Sequence, residues 1–224
     1  MRRISLAQTL TFLVLLAAIF TLGIGSTWLA LRGVPLGDFR GVAITVAAVV
    51  VTYLWAFVIY RAFLFFMPLE EGDVPEGSHA EFVAQVNILF YLVLFNTLIR
   101  THFLPVPLLR LVYLALGARL GRNSYSAGAI LDPPLTRMGA DCIVGHDAVL
   151  FSHAIEGRRL SLSPIRIGNR VTIGATAVIM SGVTIGDDAM VSAGAVVIKD
   201  TRIGPGEIWG GGPARLLRRS AVAQ

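Results

Sequence analysis

An aliphatic residue recurs at every sixth position through much of the C-terminal half of this sequence. The positions are Ile167, Ile173, Ile179, Ile185, Val191 and Val197. An α-helix returns to the same face about every 3.6 residues and a β-strand every second residue, so neither element alone imposes a period of six. The pattern instead predicts a short strand followed by a corner, repeated along the chain.

The period extends beyond this stretch in both directions. A second six-residue frame contains Leu120, Met138, Val144 and Leu150, and the first frame continues through Ile203 and Trp209. A mostly small or β-branched residue stands four places after the frame residues, at Cys142, Ala148, Val171, Ala177, Val183, Ala189, Ala195 and Thr201. Three such units close a triangular coil of about 18 residues, and successive coils stack as parallel strands about 4.8 Å apart. We therefore expect a narrow three-sided prism.

The corners of such a prism bend the chain sharply. Glycines directly follow frame residues at Gly139, Gly145, Gly168, Gly174, Gly186 and Gly204. Because glycine adopts positive φ angles without a steric penalty, we expect these glycines to supply the unusual dihedral angles of the corners.

The repeat resembles that of the hexapeptide-repeat acyltransferases, which include galactoside, serine and xenobiotic acetyltransferases. The resemblance covers about Leu116 to Arg219 and implies an all-β domain, folded as a left-handed parallel β-helix, over residues 116–219. It also implies a homotrimer, because prisms of this family typically associate in threes, with active sites in the clefts between neighbouring subunits.

The N-terminal part of the chain is too apolar for an ordinary soluble domain. The mean hydropathy of the chain is +0.72 and only 15% of its residues are charged. Thr9 to Leu31 carries no charge, and Gly41 to Phe66 is interrupted only by Arg61. About 20 apolar residues suffice to cross a bilayer, so we expect an α-helical membrane region, a transmembrane hairpin over residues 1–67. A cleaved signal peptide is the alternative for the first run.

Arginines before the first run indicate the orientation of this hairpin. Arg2 and Arg3 favour a cytoplasmic N-terminus by the positive-inside rule, and two crossings return the chain to the cytoplasm near Glu70. We therefore expect a multi-pass protein of the cytoplasmic membrane, with membrane lipid as a partner and its β-helix facing the cytoplasm. Residues 68–81 are predicted to form a polar, turn-rich linker, and residues 220–224 a tail.

Residues 82–115 are apolar but contain Gln85, Asn87 and Asn96, and two prolines lie in "RTHFLPVP". We expect interfacial or re-entrant helices there, because a third crossing would need a fourth and the last apolar stretch is too short to span. Helices that bury each other on the soluble domain are the alternative.

A histidine stands where the two frames fail to join. Leu150 and Ile167 are 17 residues apart, and "AIEGRRLSLSP" between them predicts a loop that bulges from the prism. His153 lies just before this loop and is expected to point outward from its wall. Acyltransferases of the family often carry a histidine before an extruded loop, and "FSH" resembles their "TGH", although Phe151 and Ser152 depart from it. The resemblance implies that His153 is a general base, a task suited to a pKa near neutrality, and an ordinary surface histidine is the alternative.

The donor is indicated by the C-terminal segment "WGGGPARLLRR", which resembles the "AGxPAR" segment of acetyl-CoA-dependent members. The resemblance places Arg215 against a phosphate of acetyl-CoA. Alignment through "SAGAVVIKD" places Lys199 near the coenzyme A phosphates, and Ala175 and Ala193 where backbone groups accept the pantetheine arm. The alternatives are an end cap or lipid-bound tail for Arg215, a solvated turn for Lys199 and plain packing for the alanines.

The remaining reactive side chains point to no further chemistry. His146 is expected at a corner with a structural role, and Cys142 in the core, where a thioester nucleophile would be enclosed. We expect no metal, because zinc-binding relatives of this prism share three histidines and only His146 and His153 lie in it. The net charge of +5 comes from scattered arginines without interleaved aromatic residues, which argues against a nucleic-acid partner.

These features predict a membrane-anchored acyltransferase that moves an acetyl group from acetyl-CoA to a hydroxyl or amine of a membrane-associated acceptor, small or lipid-linked. One alternative is an amide-forming acyltransferase that uses a carrier-bound or adenylate-derived acyl group. It is favoured by the segment from Leu116 to Gly121, which resembles the "LGARxG"-like opening in poly-lysine synthetase-type proteins. A non-catalytic trimeric membrane scaffold is the other alternative.

Overall fold

The computed structural model describes residues 4–101 and 103–219, and the predicted tail at residues 220–224 lies outside them. The chain divides into two compact units. One contains Leu69–Glu81 and the chain from Phe95 onward, and the other contains the chain up to Pro68 together with Phe82–Leu94. The predicted linker thus belongs to the unit with the β-helix, and the predicted helical segment 82–115 is shared between the units.

Two long helices dominate the apolar unit. Helix α1 covers Leu6–Leu31, helix α2 covers Arg40–Phe66, and a short 3₁₀ turn at Gly37–Phe39 precedes α2. The two helices approach closely at Gly23, where any side chain would collide with Thr52 of α2. Close contact of this kind suits helices in lipid, where association depends on van der Waals packing of small residues.

The third helical segment begins with α3 at His79–Phe90, continues through a π-helical turn at Tyr91–Phe95, and ends with α4 at Asn96–Arg100. Asn87, a polar residue in an apolar run, is buried and accepts a hydrogen bond of 2.7 Å from the hydroxyl of Tyr60. This partner satisfies the amide oxygen of Asn87, whose burial would otherwise be costly.

Three segments of the described chain are long and apolar enough to cross a membrane, at Leu6–Leu31, Gly37–Phe66 and His79–Arg100. The first two coincide with the predicted hairpin. The third is longer than the interfacial helices that the sequence suggested. Helix α5, at Val106–Leu116, is too short to span and ends at Gly117, which has a φ of 104°.

The β-helix has three walls of short parallel strands. The first wall contains β2 (Arg119–Leu120), β5 (Thr136–Met138), β10 (Ile165–Ile167), β13 (Thr184–Ile185) and β16 (Arg202–Ile203). The second contains β3 (Tyr125–Ser126), β6 (Ile143–Val144), β11 (Thr172–Ile173), β14 (Met190–Val191) and β17 (Glu207–Gly210). The third contains β4 (Ala129–Ile130), β7 (Val149–Leu150), β12 (Val178–Ile179) and β15 (Val196–Val197). A final strand, β18 (Arg215–Arg219), pairs antiparallel with β17.

The predicted repeat defines the core of this prism. Ile173 of β11 pairs in register with Val191 of β14, one coil of 18 residues further along. Both side chains are at most 1% exposed, as are those of Ala177 and Ala195 at the predicted small positions. The buried column therefore confirms the six-residue pattern, and only its ends, at Leu120 and Trp209, are half-buried.

The prediction for the corner glycines was wrong. Positive φ angles occur instead on the third residue after each frame residue, at Asn123, Asp141, Asp147, Arg170, Thr176, Gly182, Asp188, Gly194, Asp200 and Gly206. The predicted glycines lie against the next coil, where a side chain on Gly174 would collide with the backbone nitrogen of Ala193. Stacking of the coils, rather than an unusual dihedral angle, requires glycine there.

The predicted loop between Leu150 and Ile167 is an antiparallel hairpin of β8 (His153–Glu156) and β9 (Arg159–Leu162). It is inserted at one corner, between β7 of the third wall and β10 of the first. The linker adds a strand to it, because β1 (Gly72–Val74) pairs antiparallel with β9. An ion pair of 3.0 Å between Asp73 and Arg159 joins these two strands.

Candidate active site

His153 is the first residue of β8 and lies at the foot of the extruded hairpin. Its side chain is 27% exposed, and its ring centre lies 5.7 Å from that of Phe151. The corner at which β7 leaves the third wall positions this imidazole, because β7 is fixed by its ladder with β4 and β12.

The imidazole is held by a buried carboxylate, that of Asp132. Nδ1 of His153 lies 2.7 Å from Oδ2 of Asp132, and the same oxygen accepts the backbone N–H groups of Ser152 at 2.8 Å and His153 at 3.2 Å. Asp132 is only 4% exposed. A carboxylate with three donors on one oxygen has little freedom to rotate, so it fixes the orientation of the ring.

This contact assigns the tautomer and alters the basicity of the ring. Because the carboxylate accepts the proton on Nδ1, the lone pair of neutral His153 lies on Nε2. The hydrogen bond to Asp132 raises the pKa of His153 above its ordinary value, burial of the ring opposes this rise, and the charge of Asp132 adds to it. Nε2 is therefore a stronger base than that of an unpaired histidine.

The sequence did not reveal Asp132, which precedes a short 3₁₀ turn at Pro133–Leu135. Ile130 pairs in register with Leu150, so Asp132 stacks beside Ser152. These two positions are 20 residues apart, and the predicted coil of about 18 residues therefore missed the pairing. An acidic residue directly before two prolines was the available signal.

Lys199 lies on the same corner of the prism as His153. Backbone hydrogen bonds connect this corner coil by coil, from Phe151 to Ile179 at 3.1 Å and from Met180 to Val197 at 3.0 Å. The Nζ atom of Lys199 lies 3.4 Å from Oε2 of Glu156 in the hairpin. The structure thus pairs the predicted phosphate ligand with an acidic side chain of the extruded hairpin.

Ala175 and Ala193 occupy a different corner, between the second and third walls. The backbone N–H of Gly194 donates to the carbonyl oxygen of Ala175 at 2.9 Å, so the two alanines lie on adjacent coils as the sequence predicts. Arg215 begins β18 opposite Gly210 and is exposed. One copy of the chain therefore brings His153 and Lys199 to one corner and the other three predicted residues to another.

The other reactive residues have structural surroundings. Cys142 is 1% exposed and its Sγ lies 3.0 Å from the carbonyl oxygen of Gly168. Burial raises the pKa of this thiol, which disfavours the nucleophilic thiolate. His146 is exposed at a corner, with Nε2 at 3.3 Å from the carboxylate of Asp147. Within residues 4–101 and 103–219, no group of three or more His, Cys, Asp or Glu side chains could hold a metal ion.

Comparison with known families supports the repeat. Residues 164–199, which contain β10 to β15, match the family model described as a hexapeptide repeat of succinyl-transferase. The predicted hexapeptide-repeat resemblance is therefore confirmed, and with it the left-handed parallel β-helix as the fold of this segment.

Individual relatives match only part of the chain. Delta-poly-L-ornithine synthetase of Acinetobacter baumannii (strain AB307-0294) is 29% identical over 112 residues, which are 49% of this chain and 8% of that protein. A hexapeptide-repeat containing acetyltransferase of Vibrio cholerae O1 biovar eltor, complexed with acetyl coenzyme A, is 29% identical with a TM-score of 0.41, and the match covers 46% of this chain and 60% of that chain. A galactoside acetyltransferase in complex with coenzyme A is 24% identical with a TM-score of 0.45, covering 59% and 80%. This chain thus spans less than two thirds of the first two relatives.

Proposed function

We propose that this chain is a membrane-anchored acetyltransferase that transfers an acetyl group from acetyl-CoA to a hydroxyl or amine of a membrane-associated acceptor. The observation that carries the proposal is the contact of 2.7 Å between His153 and Asp132 at the foot of the extruded hairpin. An oriented imidazole with a free Nε2, next to a protruding loop of a hexapeptide-repeat prism, suits a general base for acyl transfer.

In the proposed reaction, Nε2 of His153 takes the proton from the acceptor hydroxyl or amine as that atom attacks the thioester carbonyl carbon. The new ester or amide bond forms as the C–S bond breaks, and the thiolate of coenzyme A leaves and takes up the proton. Asp132 stabilises the imidazolium through Nδ1, so no covalent acyl-enzyme is needed.

The donor would lie along the corner formed by Ala175 and Ala193, with Arg215 and Lys199 as partners for its phosphates. Since one copy of the chain places these residues on two corners, a complete site would require the corner of one protomer to face that of another. A homotrimer brings corners of neighbouring prisms together, and this requirement supports the trimer that the sequence resemblance implies.

The acetyl donor is supported by sequence similarity. The Vibrio cholerae acetyltransferase that is 29% identical to this chain was solved with acetyl coenzyme A. Arg215 offers a planar fork of donors to a phosphate, and the three preceding glycines allow close approach of a ligand to the backbone.

The membrane-associated acceptor is supported by the apolar unit, in which two helices are long enough to span. The pairing of β1 with β9 bears on the third segment, because it keeps residues 72–74 on the same side of a bilayer as the hairpin. A single crossing by His79–Arg100 would separate β1 from the β-helix that follows. This supports an interfacial or re-entrant course for that segment, with the β-helix on the cytoplasmic side, where acetyl-CoA is made.

The proposal is tested on the detergent-purified full chain. Titration calorimetry with acetyl-CoA is expected to give a saturable heat, and radiolabelled acetyl-CoA mixed with a membrane lipid extract is expected to label the lipid fraction. A chain that binds acetyl-CoA but labels no lipid would limit the acceptor to soluble molecules. A chain that binds no acetyl-CoA would contradict the proposal.

The match to delta-poly-L-ornithine synthetase favours a second candidate, an amide-forming acyltransferase that takes its acyl group from a carrier or an adenylate. His153 would serve as the base in the same way, and the acceptor would be an amine. This candidate predicts that the purified chain gives no heat with acetyl-CoA or coenzyme A. The same calorimetric experiment therefore separates the two functions, and a non-catalytic scaffold would in addition be insensitive to changes at His153.

A further inference from the structure

One wall of the prism carries a column of arginines. On the first wall, the outward residues of neighbouring strands are paired in register, from Arg119 to Arg137, Arg166, Thr184 and Arg202. The coils are about 4.8 Å apart, so three guanidinium groups follow one another directly and a fourth lies beyond one threonine. We call these four arginines and Thr184 the arginine wall.

The other two walls carry no such charge. The outward residues of the second wall are Tyr125, Ile143, Thr172, Met190 and Ile208, and those of the third are Ala129, Val149, Val178 and Val196. Like charges directly opposite each other on neighbouring strands destabilise a sheet. Because Thr184 shows that a neutral residue fits this column, folding alone does not require the repeated arginines.

Counter-charge on the arginine wall is incomplete. The carboxylate of Glu71, in the linker, lies 3.3 Å from Arg137 and 3.5 Å from Arg166. Arg119 and Arg202 have no acidic partner within 4.0 Å in the part of the chain that the structure describes. The Nε atom of Arg137 is buried without a hydrogen-bond acceptor among the described residues. Four positive charges thus share one carboxylate, and a donor in the middle of the column is unsatisfied.

The wall also has space for a ligand. An open cavity of about 430 Å³ lies along it, lined by Arg119, Arg137, Arg166 and Thr184 and by the backbone of Gly139 and Gly168. The arginines are exposed or half-buried, so their guanidinium groups are accessible from solvent. Only Glu71 competes for the central pair.

We propose that the arginine wall binds a ligand that carries phosphate groups. A guanidinium group offers two parallel N–H donors to phosphate oxygens, and arginines on adjacent coils can hold one phosphate from two sides. The ligand would replace Glu71 as the partner of Arg137 and Arg166 and would satisfy the free donor of Arg137. This site lies on a flat wall, apart from the corner of Ala175 and Ala193, and the inference does not depend on the acyltransferase function.

Inorganic diphosphate is the probe for the first test, titrated calorimetrically into the detergent-purified full chain. Removal of two charge-assisted partners in the double variant Arg137→Gln, Arg166→Gln is expected to weaken binding by about tenfold or more. Glu71→Gln is expected to strengthen it, because the competing carboxylate is removed. Arg170→Gln is the matched control, since Arg170 is an exposed arginine at a corner and pairs with Asp188; it is expected to change the affinity by less than about twofold.

The opposite signs of these effects separate binding from a structural role. If the arginines only anchored the linker through Glu71, the Glu71 and arginine variants would change thermal stability in the same direction and neither would alter diphosphate affinity. Diphosphate binding that persists in the double arginine variant, or that is lost in Lys199→Gln instead, would overturn the inference.

A second arm identifies the source of the phosphate. The chain is reconstituted in lipid discs that contain phosphatidylcholine alone or phosphatidylcholine with phosphatidylglycerol. If lipid headgroups occupy the arginine wall, the anionic discs are expected to lower the apparent diphosphate affinity, and the double arginine variant is expected to abolish this difference. Equal affinity in both discs would assign the wall to a soluble phosphate-bearing ligand.

Discussion

Nδ1 of His153 lies 2.7 Å from Oδ2 of Asp132, and the two residues come from different coils of the same chain. Asp132 also accepts two backbone N–H groups at the foot of the hairpin, so the carboxylate is fixed before any substrate binds. The base of the candidate site is thus preorganised within one protomer, whereas the residues proposed for the donor lie on another corner.

The first prediction concerns the base itself. His153→Ala is expected to lower kcat for acetyl transfer by about 10² to 10⁴, the contribution of a positioned general base, and to leave acetyl-CoA affinity within about twofold. His146→Ala is the matched control, because His146 is an exposed corner histidine, and it is expected to retain activity. Steady-state kinetics and calorimetry measure both quantities, and full activity of the His153 variant would remove the proposed base.

A second prediction follows from the raised pKa of His153. Nε2 acts as a base only when the ring is neutral, so kcat/KM is expected to rise with pH through the pKa of His153 and to reach a plateau above it. Asp132→Asn removes the main cause of the raised pKa, and the acidic limb is therefore expected to move to lower pH. The plateau is expected to fall by about tenfold or more, because the amide no longer selects the tautomer with its lone pair on Nε2.

The pH profile distinguishes this role from a purely structural one. A variant that merely loosened the corner would lower kcat/KM at every pH without moving the limb. Thermal denaturation of Asp132→Asn provides the control for folding, since Asp132 also holds the backbone of Ser152.

The third prediction concerns the ion pair between Lys199 and Glu156, which are 3.4 Å apart. If Lys199 meets a phosphate of coenzyme A, Lys199→Gln is expected to weaken coenzyme A binding by about tenfold. Glu156→Gln removes the competing carboxylate and is expected to strengthen it. Calorimetry with coenzyme A measures both variants, and equal affinities for both and for the unchanged chain would exclude Lys199 from the donor site.

How much of this site the sequence predicts depends on the range of each signal. The buried column at Ile173 and Val191 follows from a period that repeats within six residues, and it was predicted correctly. His153 was found because the period fails just after Leu150. Asp132 was missed because its pairing depends on one coil of 20 residues, a length that no local pattern encodes.

The corner glycines illustrate a different limit. A glycine in the sequence is consistent either with a positive φ angle or with a close approach of another chain segment, and the repeat does not distinguish the two. The neighbour of Gly174 is Ala193, one coil away, so the reason for the glycine lies outside its own hexapeptide. The arginine wall was likewise invisible until strand register placed Arg137 beside Arg166.

The fourth prediction tests this explanation. Gly174→Ala is expected to destabilise the β-helix by about 3 kcal/mol, as overpacking against the adjacent coil does in a rigid core. Gly157→Ala is the comparison, since Gly157 has a φ of 64° and no neighbouring atom within 4 Å, and only its dihedral angle costs about 1 kcal/mol. Chemical denaturation measures both free energies of unfolding, and equal losses would contradict the stacking argument.

The last prediction concerns the orientation of the apolar helices. Cysteines are introduced at two exposed positions, Gly33→Cys between α1 and α2 and Glu70→Cys after α2, in a chain that carries Cys142→Ala. Arg2 and Arg3 favour a cytoplasmic N-terminus, so a membrane-impermeant maleimide applied to intact cells is expected to label the first cysteine and not the second. Both are expected to react after permeabilisation, which controls for accessibility. Labelling of Glu70→Cys in intact cells would place the β-helix outside, away from acetyl-CoA, because β1 follows Glu70 directly and pairs with β9.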